Sequence, residues 1–225
     1  MEFILKSLLN GSDGVFIVGC KLGECNYTTH GNYHALNMVY LCKKILKYLG
    51  LNEDRLKIEF MSSADGIKFA EFANEFTNKI KEIGPIGEAE NIDKSELEGK
   101  LQEIIKLIPY IKVEKREKLL QTFDNLEEYE KLYKDEEIEE LLTDVVSYYI
   151  DPEKCQACGT CRRRCPVDAI EGEKNVIHVI NQDVCIKCGT CYEACPPKFK
   201  AVMKIKGEQV PEPLPYEKRI INRKR

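Results

Sequence analysis

Eight of the chain's 11 cysteines fall between positions 155 and 195, in two runs of identical spacing. DPEKCQACGTCRRRCP is followed by NQDVCIKCGTCYEACP, so each run reads C-x2-C-x2-C-x3-C-P. A chain with this pattern must fold its backbone around its own sulfurs. In such runs three closely spaced cysteines wrap one cubane cluster, and the fourth, just before proline, turns to the other cluster. On that rule Cys155, Cys158, Cys161 and Cys195 hold one [4Fe–4S] cluster, and Cys185, Cys188, Cys191 and Cys165 hold a second. Gly159 and Gly189 let the backbone turn so that amide N–H groups face the cluster sulfides. Pro166 and Pro196 stiffen the exits. Zinc favours two C-x2-C pairs separated by a longer gap; two complete runs ending in Cys-Pro point to iron and sulfide instead. Between the repeats, VIHVIN (176–181) reads as a small strand with His178 on its polar side and no role assigned to it. Arg162–Arg164 lie between ligands, where they either dock an acidic partner, raise a cluster potential by their charge, or form a solvated helix surface.

The remaining composition narrows the setting. The N-terminal stretch MEFILKSLLNGSDG has no basic n-region and no cleavage site, so it does not read as a signal peptide. Cysteines bunched at metal-ligand spacing then indicate a reducing cytoplasm rather than a disulfide scaffold. No apolar run approaches the roughly 20 residues that span a bilayer. A net charge of −4 leaves no basic footprint for nucleic acid. Hydrophobic residues at 43% and charged residues at 32% suit a soluble chain with well-solvated helices.

Upstream of the repeats the pattern changes. Residues 2–10 suit a short helix, and VFIVGC (15–20) is an apolar β-branched run that predicts a buried strand. YHALNMVYLCKKILKYL (33–49) has helical periodicity and is stopped by Gly50. RLKIEF (55–60) predicts a second strand. A helix over 66–82 carries Ile67, Phe69, Phe72, Phe76 and Ile80 on one face and ends at Gly84 and Pro85. Strand, helix, strand, helix implies a small parallel unit with a right-handed crossover. Residues 100–148 contain no glycine and are rich in Glu, Lys and Leu; they predict helices near 94–108, 112–121, 123–133 and 135–148. The acidic run DEEIEE (135–140) is either an interaction site or a solvated helix face. The fold class is therefore α/β plus α+β: a parallel βαβα domain (1–85), a helical linker (86–147), a two-cluster ferredoxin module (148–206) and an extended basic tail (207–225).

Two resemblances follow from these motifs. Residues 148–206 resemble the bacterial-type two-cluster ferredoxins, and the lead-in YYIDPEKC is similar to the ferredoxin module appended to flavin-binding subunits of multisubunit hydrogenases. No G-x-G-x-x-G loop is present, so the flavin part itself is absent. Over residues 2–85, DGVFIVGCKLGECNY, GNYHA and SADGIKFAEFANEFTNKIKEIGP resemble the delta subunit of methyl-viologen-reducing hydrogenase. That resemblance implies a [2Fe–2S] cluster and a link from a hydrogenase or formate dehydrogenase to heterodisulfide reductase. Members of that family begin with a further α/β half carrying a C-x2-C pair and another cysteine. Here Cys20 and Cys25 match the family motif, and Cys42 sits on the apolar face of a helix as core. Two cysteines cannot complete a [2Fe–2S] site, so either it is lost or a partner chain supplies the rest. His30 and His34, at i, i+4 near this loop, read as surface or capping residues rather than ligands.

These readings converge on an electron-transfer component of a multisubunit cytoplasmic oxidoreductase. It relays single electrons between a hydrogenase or formate dehydrogenase partner and a heterodisulfide-reductase-like or flavin subunit. The alternative is a free ferredoxin-type carrier with an extra α/β domain. An enzyme using Cys20 or Cys25 as nucleophile would need a base, and only His30 or His34 is nearby in sequence.

Overall fold

A computed structural model describes residues 1–27 and 31–221. It divides into two compact units, Met1–Leu142 and Thr143–Arg225.

In the first unit, β1 (Val15–Gly19) and β2 (Leu56–Phe60) pair in parallel, with Val15 opposite Leu56 and Gly19 opposite Phe60. Helix α1 (Glu2–Leu9) precedes β1, and α2 (Asn32–Tyr48) forms the crossover. The apolar stripe of α2 drives its placement: Leu36, Val39, Leu41, Cys42, Ile45 and Leu46 are all buried. Gly50 ends it at φ +82, a left-handed position that glycine occupies without Cβ strain. Its N–H reaches Lys47 O at 3.0 Å, and Leu51 N–H reaches Leu46 O at 2.9 Å, which closes a Schellman motif. Helix α3 (Gly66–Ile83) follows β2, and only Phe76 is buried in it. Phe76 stacks on Phe16 of β1 at 5.6 Å between centroids. Ile67 and Phe69, expected on the inner face, stay exposed at 79% and 48%, so part of the apolar face of α3 has no cover within this unit.

The segment expected as a helical linker instead packs into this unit. Helix α4 (Lys94–Glu114) starts at Asp93, whose carboxylate accepts from Ser95 N and Glu96 N at 2.8 and 3.2 Å. It runs through Pro109, where the sequence suggests a break, and buries Leu97, Leu101, Ile104, Ile108 and Ile111, packing against α1. Short helices α5 (Arg116–Leu119) and α6 (Leu126–Lys131) lie on α2. Asn37, fully buried on α2, donates to Leu119 O and Gln121 O at 3.1 and 2.7 Å and fixes that contact. Helix α7 (Asp135–Thr143) buries Ile138, Leu141 and Leu142. Its acidic run is used internally: Asp135 pairs with Lys44 and Lys47, and Glu137 with Lys115 and Lys118.

Arg55 organises the base of the unit. It is fully buried, and all five guanidinium donors are used. They reach both Glu90 oxygens at 2.7 and 3.0 Å, and the carbonyls of Asp13, Gly84 and Pro85 at 2.8, 3.0 and 3.2 Å.

The second unit is built on β3 (Val146–Ile150) and β6 (Val202–Lys206), antiparallel with Val146 opposite Lys206, and on the two-residue pair β4 (Ile170–Glu171) and β5 (Val179–Ile180). The helix expected over 135–148 therefore stops at Thr143, because VSYYI (146–150) is β-rich and finds a partner in β6. Single-turn helices α8 (Thr160–Arg164) and α9 (Thr190–Ala194) pack on each other. The core is small: Tyr148, Ile150, Ile170, Ile180, Ala201 and Val202, completed by Cys155, Cys161 and Cys191. The tail lies extended along this unit, with Ile177 N–H donating to Arg219 O and Ile221 N–H to Asn175 O, both at 2.8 Å. Among the described residues no helix is long and apolar enough to cross a membrane.

Candidate functional site

Repeat one and repeat two correspond position for position 30 residues apart: Cys155 with Cys185, Gly159 with Gly189, Thr160 with Thr190. The backbone repeats as well. Ala157 and Lys187 sit at φ 49 and 56, and Gly159 and Gly189 at φ 72 and 76. Left-handed residues at these points aim successive amides inward and make an anion-binding concavity. Each glycine then starts its single-turn helix, α8 or α9. At Gly189 space as well as φ requires glycine, whereas the neighbour at Gly159 is the flexible end of Arg163. A Cβ at Gly189 would stand 2.7 Å from the Tyr148 hydroxyl, and one at Gly159 would stand 3.0 Å from Arg163 Nη1.

Cys155, Cys158, Cys161 and Cys195 line a single cavity, together with Gly159, His178, Pro196 and Ala201. Cys195 belongs to the second repeat and reaches this cavity after α9. Burial raises the Cys185 thiol above its usual range, and Cys165, from the other repeat, lies near enough for its charge to add to that rise. Among the described residues no three of His, Cys, Asp and Glu converge on a single ion.

The sulfurs have donors waiting. Ala169 N–H donates to Cys165 Sγ and Ala201 N–H to Cys195 Sγ, both at 3.3 Å, and Lys187 N–H to Cys185 Sγ at 3.4 Å. The Cys158 sulfur pairs with Thr160 Oγ1 at 3.5 Å, and that of Cys188 with Thr190 Oγ1 at 3.2 Å. Burial pushes the Cys161 thiol up to about 11 and that of Cys191 up to about 12, with neighbouring thiolates adding to the rise. Burial also opposes ionisation of Cys158, but hydrogen bonds from Thr160 outweigh it and its thiol falls below the usual range. Packing thiols this closely into an apolar core is unfavourable for the anions alone. A cationic iron core removes that penalty, so the donor set fits a cluster.

Two side chains that the alternation pattern does not single out complete the shells. His178, placed by sequence on a polar face, is 2% exposed and lines the Cys155 cavity. Tyr148, its counterpart 30 residues earlier, is 5% exposed beside Gly189. Among the basic triplet, Arg163 Nη1 approaches the Cys158 carbonyl at 3.5 Å.

The N-terminal pair is differently housed. Cys20 is exposed and Cys25 half-buried, in the loop at the C-terminal end of β1. The start of α2 braces that loop: Asn32 Nδ2 donates to Cys20 O and Lys21 O at 3.1 and 2.5 Å. At Gly31 a Cβ would stand 2.2 Å from Tyr27 O and 2.6 Å from Cys25 Sγ, which explains the GNY signal. The two thiols share a hydrogen bond. It holds Cys20 above the usual thiol range, while amides of Tyr27 and Asn32 draw Cys25 below it. Cys42 is fully buried within α2, and burial pushes its thiol up to about 12. His34 lies in the first turns of α2, and His30 lies outside the described residues.

Comparison with known proteins agrees with this division. Residues 1–84 match the family model of the methyl-viologen-reducing hydrogenase delta subunit, and residues 147–209 match that of the 4Fe-4S dicluster domain. The iron-sulfur subunit of the F420-non-reducing hydrogenase from Archaeoglobus profundus is 45% identical over 84 residues, covering 37% of this chain and 61% of that protein. One subunit of the ferredoxin/F(420)H(2)-dependent CoB-CoM heterodisulfide reductase from Methanosarcina acetivorans is 42% identical over 86 residues, covering 38% of this chain and 11% of that protein. The chain thus spans less than two thirds of either relative's length. It joins a domain of the methyl-viologen-reducing hydrogenase delta-subunit family to a 4Fe-4S dicluster domain.

Proposed function

We propose that this chain is a non-catalytic electron-transfer component of a cytoplasmic oxidoreductase complex, relaying single electrons through two [4Fe–4S] clusters. Cys155, Cys158, Cys161 and Cys195 hold one, and Cys185, Cys188, Cys191 and Cys165 the other. The observation that carries this reading is the single cavity lined by three repeat-one thiols and Cys195. A bound cluster supplies a reversible one-electron couple whose potential follows hydrogen bonding and burial. The chain's own residues do the rest. Eight thiolates anchor the clusters, the amides of Ala169, Lys187 and Ala201 offset sulfur charge, and Ile150, Ile170, Ile180 and Val202 exclude water.

The names of the relatives place their own proteins in hydrogenase and heterodisulfide reductase complexes. By that likeness the donor here is a hydrogenase or formate dehydrogenase-type protein, and the acceptor a heterodisulfide-reductase-like or flavin subunit. Cys20 and Cys25 then form one edge of a [2Fe–2S] site that a partner chain completes. Purification under anaerobic conditions tests this directly. The protein should copurify with redox subunits, and its clusters should reduce when the upstream enzyme receives substrate. A monomer that no partner reduces would sink the proposal.

A further inference from the structure

The repeat carries an asymmetry at one symmetry-related pair. Position for position, Tyr148 corresponds to His178. Each ring leads into its own repeat but sits against the glycine of the other: the Tyr148 hydroxyl at Gly189, and His178 Nε2 4.0 Å from where a Gly159 Cβ would be. His178 lines the cavity of Cys155, Cys158, Cys161 and Cys195. It is 2% exposed and its Nδ1 has no partner in hydrogen-bonding geometry; the Val176 backbone approaches the ring, and Arg162 and Arg163 face it. The ring is pinned flat by Gly172, where a Cβ would lie 2.9 Å from His178 Cγ.

A buried polar atom without a partner is unfavourable. A phenyl ring would fill the same space at no such cost. The edge it turns to the cavity is where a partner for Nε2 is available. We propose that His178 is a positioning residue that raises the reduction potential of the repeat-one cluster by presenting its Nε2–H to the sulfurs gathered at Cys155, Cys158, Cys161 and Cys195. This rests on the ligand assignment proposed above. Reduction adds negative charge to the cluster, and a donor aimed at its sulfurs favours the reduced form. Through His178 and Tyr148 the two halves of a close repeat then hold their clusters at different potentials, which gives the relay a preferred order of filling.

The test is a redox titration of the full-length, cluster-loaded protein followed by electron paramagnetic resonance. Cys158→Ser first assigns which signal belongs to repeat one. In His178→Phe, the reduced-to-oxidised ratio of that signal at a fixed ambient potential should fall about tenfold, equivalent to about 59 mV for a one-electron couple. The other signal should change less than twofold. His178→Gln, which keeps an N–H donor, should recover most of the loss. Ratios within twofold of wild type in His178→Phe, equal shifts of both signals, or a His178→Gln shift as large as that of Phe would each overturn the proposal. If His178→Phe does not retain iron, His178→Leu replaces it under the same criteria, and iron loss in both counts against a tuning role. Cys195→Ser keeps the two readings apart. If it abolishes the signal that Cys158→Ser does not, the ligand assignment falls while the His178 result stands.

Discussion

The chain offers two cysteine sites that differ in how much of the site the fold itself supplies. In the C-terminal unit eight cysteines come from two copies of one sequence repeat, three of them are part of the core, and backbone amides already point at Cys165, Cys185 and Cys195. At the end of β1, Cys20 and Cys25 share a hydrogen bond on the surface, and no third ligand among the described residues joins them. The first arrangement lines a cavity with its own thiols. The second presents two braced thiols to the outside. On the function proposed above, one chain fills the first site alone and a partner completes the second.

Iron removal should break the comparison most visibly. Because cysteines make up part of the small core of Thr143–Arg225, chelation under reducing conditions should abolish the thermal transition of that unit. The transition of Met1–Leu142, whose core of aliphatic and aromatic side chains draws on none of the eight repeat cysteines, should persist. Calorimetry with and without chelator reads both. Survival of both transitions would show that the cysteine core stands without metal.

Arg55→Met should act in the opposite unit. It leaves Glu90 to the amides of Asn52 and Gly87 and takes a donor from three backbone carbonyls, and breaking a buried pair in this way costs about 3–5 kcal/mol. Denaturant titration should show that loss in the first unit, while the visible absorption of the iron–sulfur unit stays unchanged.

The smallest effects belong to the surface pair. Brief alkylation at neutral pH, read by mass spectrometry, should label Cys25 ahead of Cys20, because amide donors favour the Cys25 thiolate, and should leave Cys42 unlabelled. Gly31→Ala should disturb that order, since a methyl group there collides with Tyr27 O and Cys25 Sγ. Cys20→Ser should leave the iron content of the isolated chain unaltered. Iron lost in Cys20→Ser would mean that the N-terminal site fills without a partner.

Sequence signals are legible where they depend on neighbours along the chain. The strands expected at 15–20 and 55–60 lie at 15–19 and 56–60, and the helices expected at 33–49 and 66–82 lie at 32–48 and 66–83. Spacing groups Cys195 with repeat one, and the structure sets it in that cavity. What escapes depends on partners distant in sequence. Periodicity marks the apolar side of α4 but not what it covers, so a helix that packs on α1 reads as a linker. Alternation in VIHVIN assigns His178 to water, because the pattern carries no information about Gly172 folding back over the ring. The 30-residue register of the repeat holds the missing clue, since it aligns His178 with an aromatic residue, Tyr148.

The central claim is two [4Fe–4S] clusters held by ligands crossed between repeats. Iron and sulfide counting with electron paramagnetic resonance on the reduced Cys165→Ser variant tests it most directly. The wild-type chain should hold about eight irons, and the variant should lose the signal assigned to Cys185, Cys188 and Cys191. Loss of the signal assigned to Cys155, Cys158 and Cys161 instead would contradict the crossed assignment.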